Sequence, residues 1–286
     1  MTLFPEQNQI LINRSGEEIH TTLTVPEPTR QKAPLLIILH GFKGFRNYSF
    51  FPWMAQYAAT QGMIAVRFCF SRNGMNGTSW LVQDPAAFAR NTISHEADDV
   101  HDVVQLIREH ANFASIREQW DGRLFLIGHS RGGGIAQIVA RELQAKKNVD
   151  LVRTAALNSV GTWVRWTPRQ REEWVKTGFI TVLNERTKQE LRMELSYLND
   201  IEQNNDRLSL DQAARSLGTT LAYIHSGSDL TVPIVEIRAS RVRTATEAPF
   251  IIIPNTTHTF GMTHPVDRIT RGFVDAMHAS FSWLLQ

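Results

Sequence analysis

The feature that most constrains this chain is residues 124–134, Leu-Phe-Leu-Ile-Gly-His-Ser-Arg-Gly-Gly-Gly. Residues 124–127 are an unbroken apolar run, as expected of a strand buried on both faces. Residues 135–140, Ile-Ala-Gln-Ile-Val-Ala, read as an apolar helix. Between them lies Gly128-His129-Ser130-Arg131-Gly132, a G-x-S-x-G match in the strand–turn–helix context that gives the motif meaning. So tight a turn forces Ser130 into a strained backbone conformation, and a Cβ at position 128 or 132 would collide with the adjoining strand or helix. Ser130 Oγ is then expected above the sheet at a helix N-terminus, where the helix dipole favours developing negative charge. The bland alternative is a tight connection with an idle serine, so the reading needs partners elsewhere in the chain.

The rest of the sequence repeats the strand–helix alternation. Residues 9–13 and 18–25 flank Ser15-Gly16, a hairpin signal. Buried strands are expected at residues 35–39, 64–70, 151–157, 219–225 and 250–253, and helices near 50–60, 92–110, 234–244 and 266–285. Alternation of this kind predicts an α/β fold: a mostly parallel, doubly wound sheet with antiparallel strands at its N-terminal edge. Residues 162–217 break the rhythm. They are rich in Arg, Glu, Gln and Trp, and are expected to form a helical cap inserted into a catalytic core of residues 1–161 and 218–286. Such a cap belongs over the carboxyl ends of the strands, where ligands bind in sheets of this type.

Composition narrows the function. The chain has 286 residues, 42% hydrophobic and 20% charged, enough for a packed core. A net charge of +2 with no long Lys/Arg run argues against nucleic acid as a partner. The N-terminus has neither a basic start nor an apolar stretch, and the longest aliphatic run, residues 35–39, is far short of a membrane span. The single cysteine, Cys69, lies in an apolar stretch and excludes an intramolecular disulfide, so a buried thiol and a cytoplasmic location are expected. No Cys/His cluster has ligand spacing, so neither metal nor cofactor is expected; Asp98-Asp99 reads as a solvated helix edge.

A serine nucleophile needs a base, and the base needs an orienting acid, each in a loop on the same sheet edge. Asp229 follows the strand at 219–225 and His258 follows the strand at 250–253, giving the order Ser…Asp…His. His264 is the rival base; it precedes Pro265, which is expected to open the last helix. His20, His95, His101, His110 and His278 fall inside expected strands or helices. The oxyanion hole requires two backbone N–H groups. Arg131, after the serine, supplies one, and Phe42, in the His40-Gly41-Phe42 loop after an early strand, supplies the other. In the cap, Trp163, Trp166 and Trp174 are candidates for the pocket wall, against the alternative of ordinary packing.

These segments resemble the α/β-hydrolase fold superfamily over nearly the whole chain outside the insertion. His40-Gly41-Phe42 is similar to the oxyanion motif of its esterases, Gly128-His129-Ser130-Arg131-Gly132 to its nucleophile turn, Asp229-Leu-Thr-Val-Pro233 to its D-x-x-V-P acid segment, and His258-Thr-Phe260 to its histidine segment. His40-Gly-Phe-Lys-Gly44 and His258-Thr-Phe260 look closest to the branch with dienelactone-hydrolase-like and feruloyl (cinnamoyl) esterases. Two positions depart from that pattern: Arg131 stands where a smaller or apolar residue is common, and Ser130 stands where dienelactone hydrolases proper use cysteine. The resemblance implies a serine hydrolase that cleaves small-molecule carboxylic esters through an acyl-enzyme. Peptidase, thioesterase or acyltransferase chemistry on the same triad is the alternative, followed by a non-catalytic binding member of the fold.

Overall fold

The computed structural model describes residues 3–27 and 31–286. The chain opens with the expected antiparallel hairpin, β1 (Glu6–Ile12) and β2 (Glu18–Thr24), turning at Gly16 with φ 77°. Then come β3 (Ala33–Leu39), α1 (Phe51–Thr60), β4 (Ile64–Phe68), and the short α2 (Pro85–Ala89) and longer α3 (Ile93–Glu109). After α4 (Ala114–Gln119) run β5 (Trp120–His129), α5 (Arg131–Lys146) and β6 (Asp150–Leu157). The inserted segment carries α6 (Pro168–Thr177), β7 (Phe179–Asn184), β8 (Gln189–Glu194), α7 (Ser196–Gln203) and α8 (Leu210–Leu217). The chain closes with β9 (Leu221–Ser226), α9 (Ile234–Thr244), β10 (Phe250–Ile253) and α10 (Arg271–Leu284).

Among the described residues eight strands form one sheet, in the order β1-β2-β4-β3-β5-β6-β9-β10. The β1–β2 and β2–β4 pairs are antiparallel and all others parallel. Period-two alternation assigns the central strands to two apolar layers. Leu35, Ile37, Leu124 and Leu126 face a core shared with α3 and α5, while Leu36, Ile38, Phe125 and Ile127 face one shared with α1 and α10. Both faces are thus covered, which is why these strands read as continuous apolar runs. Cys69 is a buried free thiol among the first set.

Two expectations are corrected. The insertion is not wholly helical: β7 and β8 form a separate antiparallel hairpin, built on the β-branched residues Ile180, Thr181 and Val182. The last helix begins at Arg271 rather than near 266, because the Thr270 side chain caps it by accepting from Phe273 N. Within the insertion, α8 packs on α5 and α9, whereas the hairpin leans on α2. Trp174 is fully buried between Trp166 and Tyr197, with ring centres 4.8 and 6.0 Å away, and joins the apolar core on the α3 and α5 side of the sheet.

Candidate active site

β3 sends its next strand, β4, to one side and β5 to the other, so the sheet has a topological switch point between the carboxyl ends of β3 and β5. Ser130 sits there with φ 58° and ψ −120°, a conformation that L-residues rarely adopt. It is held because its N–H donates to Leu157 O at 2.9 Å and its carbonyl accepts from Gly133 N and Val160 N at 3.0 and 3.3 Å. The glycines around it are spatial necessities. A Cβ on Gly128 would lie 2.0 Å from Gly132 O, and one on Gly132 would lie 2.5 Å from the carbonyl oxygens of Leu39 and His40. Gly133 makes room for Ser159, and Gly134 for the Trp163 ring, whose Cη2 a Cβ would meet at 2.5 Å.

Asp229 and His258 come together. Asp229 divides its two oxygens between tasks: Oδ1 accepts from Thr231 N and Val232 N at 2.8 and 2.9 Å, and Oδ2 accepts from His258 Nδ1 at 2.7 Å. Burial by itself would raise the Asp229 carboxyl; the bond and charge of His258, with the two backbone N–H groups, outweigh it and hold it below its ordinary value. With Nδ1 donating, the lone pair of neutral His258 is on Nε2, which has no protein partner among the described residues. Ser130 Oγ likewise carries no hydrogen bond there. His264 is elsewhere. Its Nδ1 accepts from Ser49 N at 3.0 Å, and its ring is packed among Phe45, Tyr48 and Trp80.

Three supporting residues escaped the sequence reading. His129 Nε2 and Asn158 Nδ2 both donate to His258 O at 2.7 Å. Asn158 also donates to Ser226 Oγ at 2.9 Å and accepts from Ser226 N at 2.6 Å, while Ser226 Oγ donates to Thr257 O at 2.7 Å. The histidine loop is therefore tied to the ends of β5, β6 and β9. Burial pushes His129 down to about 3, with the His258 ring adding to the effect, so it stays neutral and keeps donating. The signal available in the sequence was placement alone: Asn158 and Ser226 directly end their strands.

The loop after β3 is a tight turn closed by Gly44 N to Gly41 O at 3.0 Å. His40 braces it, donating through Nδ1 to Gly41 O at 2.9 Å and accepting at Nε2 from Phe70 N and Asn73 Nδ2. Burial, aided by the Arg131 charge, pushes His40 down to about 4. A Cβ on Gly41 would be 2.9 Å from Ser130 Cβ, so the loop lies directly against the serine. The backbone N–H groups of Phe42 and Arg131 have no hydrogen-bond partner among the described residues. The Arg131 guanidinium stacks over the Phe42 ring at 4.0 Å and bonds buried Glu96 at 3.2 Å.

A cavity of about 240 Å³ opens over Ser130, lined by Phe42, Arg131, Val160, Trp163, Trp166, Tyr197 and Val232 among others. Two of the expected wall residues, Trp163 and Trp166, line it. Trp174 does not; it stands behind Trp166, where its full burial supports the wall instead. The β7–β8 hairpin grips the loop beside Phe42 reciprocally, Lys43 Nζ donating to Leu183 O at 2.9 Å and Arg186 Nη2 to Lys43 O.

Among the described residues no group of three or more His, Cys, Asp or Glu side chains is placed to hold a metal ion. Asp98 and Asp99 part company, correcting the expected solvated edge. Asp98 pairs with Arg207 at 2.6 Å, whereas Asp99 is buried, accepts from Asn13 and Ser71, and is pushed up to about 7 by burial. No helix of the described residues is long and apolar enough to cross a membrane.

The chain belongs to the alpha/beta hydrolase family, whose model matches residues 36–271. Solved structures agree with the fold. An alpha/beta hydrolase, GrgF from Penicillium sp. sh18, superposes with a TM-score of 0.72 at 12% identity, covering 98% of each chain. Est1E from Butyrivibrio proteoclasticus gives 0.66 at 14%, covering 98% of this chain and 99% of its own. The acylaminoacyl peptidase of Pyrococcus horikoshii gives 0.64 at 16%, covering 99% of this chain and 42% of its own. No curated protein matches the sequence significantly.

Proposed function

We propose that this hydrolase is a serine carboxylic-ester hydrolase, with Ser130 as nucleophile, His258 as base and Asp229 as the orienting acid. The observation that carries the reading is the division of labour at Asp229: one oxygen fixed by backbone, the other on His258 Nδ1, leaving Nε2 free. Ser130 Oγ gives its proton to His258 Nε2 and attacks the ester carbon. The carbonyl oxygen becomes an oxyanion, bound by the free N–H groups of Phe42 and Arg131. The intermediate collapses, the C–O bond to the alcohol breaks, and His258 returns its proton to the departing alkoxide. Water then attacks the acyl carbon, giving its proton to His258; the C–Oγ bond breaks, His258 returns that proton to Ser130 Oγ, and the acid leaves. Asp229 holds the imidazole tautomer and stabilises the imidazolium throughout.

Residues 162–217 act as a cap, and the cavity beneath it takes the acyl group. Est1E, which shares the fold, has been solved with ferulic acid bound, which supports a cavity that takes a carboxylic acyl group. A cytoplasmic location, drawn from the single buried thiol, belongs to the same reading. The test is fluorophosphonate labelling with ester turnover. Ser130→Ala is expected to lose both, with kcat down by ~10⁴-fold or more at an unchanged melting temperature. Labelling that persists in this variant excludes Ser130 as the nucleophile.

A further inference from the structure

Two polar side chains in the wall of the cavity are built as if waiting for a partner. Arg131 is buried, yet the only side-chain acceptor it meets among the described residues is Glu96 Oε1, at 3.2 Å, which Asn91 Nδ2 also occupies at 2.7 Å. A guanidinium has five N–H donors, so most of these are uncommitted. Its flat faces are taken by rings, with Phe42 at 4.0 Å and Tyr197 at 5.1 Å. It is fixed in place by stacking rather than saturated by hydrogen bonds. The Tyr197 hydroxyl also has no protein partner among the described residues, although the residue is only 2% exposed. None of these free donors is among the fully enclosed unpaired atoms of the described residues, so they are reached from the cavity that the two side chains line. Both side chains line the same cavity as Ser130.

The cavity lining includes two arginines and no carboxylate. Arg165 is occupied, bonding Glu236 through Nη1 and Thr231 O through Nη2. Arg131 is the cation with donors to spare. Burial pushes the Glu96 carboxyl upward, against the opposing pull of Arg131 and Asn91.

We propose that Arg131 and Tyr197 form an anion-binding subsite beside Ser130, and that the preferred substrates are half-esters of short dicarboxylic acids. The free carboxylate meets the guanidinium and the phenol while the esterified carboxyl meets Ser130. This rests on the reading of Ser130 as the nucleophile. The cavity, about 240 Å³, is of a size that suits a short acid.

Two measurements test it. The first is glutarate binding by calorimetry, which needs no turnover. Arg131→Gln is expected to weaken it about 10- to 100-fold. Tyr197→Phe, which keeps the ring and carries the test if the arginine variant does not fold, is expected to weaken it about 3- to 10-fold. The second is the kcat/KM ratio of monomethyl glutarate to methyl pentanoate, with dimethyl glutarate as the uncharged control. The wild-type ratio is expected to exceed about tenfold and to collapse toward unity in Arg131→Gln, with dimethyl glutarate tracking the pentanoate. A wild-type ratio at or below unity, or glutarate affinity indifferent to both substitutions, overturns the subsite. Ester turnover without glutarate binding removes the subsite and leaves the esterase reading. Arg131-dependent glutarate binding without turnover of any ester does the reverse.

Discussion

Below Ser130, the groups that hold the candidate triad are buried, mostly neutral and bonded to backbone: His129, Asn158 and Ser226 on the histidine loop, and two N–H groups on Asp229. Above it, the cavity wall includes Thr162, Trp163, Arg165, Trp166 and Tyr197 of the inserted segment. Over a buried apolar underside that includes Leu191, Ile201, Leu210 and Leu217, that segment is tied at its edges by long charged side chains, Lys43 and Arg186 at the hairpin, Arg165 to Glu236, and Arg207 to Glu142 and Asp98. A buried neutral network fixes positions closely, because losing any member leaves a desolvated polar group. Part-exposed ion pairs contribute less and tolerate rearrangement. The floor is therefore the part built for geometry, and the roof the part that can vary with substrate.

The largest expected effect falls on the bulkiest apolar anchor of the roof. Trp174→Ala removes a fully buried ring and is expected to cost about 3–5 kcal/mol in a denaturant melt, with KM rising as the wall behind Trp166 loosens. Trp166→Ala, which trims the wall itself, is expected to raise KM for bulky esters with a much smaller loss of stability. Equal losses from the two would erase the distinction between wall and support. On the floor, Asn158→Ala leaves His258 O and the Ser226 groups short of partners, and is expected to cost about 1–3 kcal/mol and to lower kcat more than KM changes. An Asn158→Ala enzyme with wild-type kcat would mean that the floor does not set the geometry. The smallest effect concerns acid. Burial raises the Glu142 carboxyl, but bonds to His101 and Arg207 outweigh this and bring it from 4.5 to about 2. Its folded value is thus below its unfolded one, so its contribution is whole above pH 4.5 and fades as pH falls toward 2. Tryptophan fluorescence from the roof is expected to change in that window before far-UV circular dichroism from the sheet, and Glu142→Gln is expected to remove part of that pH dependence.

The sheet was legible because its strands are buried on both sides, so runs such as residues 35–39 and 124–127 announce themselves without reference to anything distant. The placement of Ser130, Asp229 and His258, each after its own strand at one edge, was legible from the strand order. Other features depend on contacts far along the chain. Asn158 is recognisable only from its bond to the carbonyl of residue 258, one hundred positions away. Trp163, Trp166 and Trp174 are alike in the sequence, and only the stacking of Tyr197 against Trp174 decides which of them face the cavity. Asp99 looked like half of a solvated pair because the residues that bury it, Asn13 and Ser71, lie on other elements. The β7–β8 hairpin was missed because each strand is short and its outward residues are as polar as those of the helices beside it.

The glycine at 134 ties the width of the cavity to the stability of a helix. Alanine in that first turn of α5 would be favoured over glycine by up to about 1 kcal/mol on intrinsic propensity. A methyl group there would meet the Trp163 ring at 2.5 Å. The more stable helix is therefore open only to a chain that also gives up tryptophan at 163, and with it one wall of the cavity. Two positions that look independent in the sequence are thus expected to change together, and a laboratory selection for thermal stability alone would drift toward a wider, less discriminating pocket.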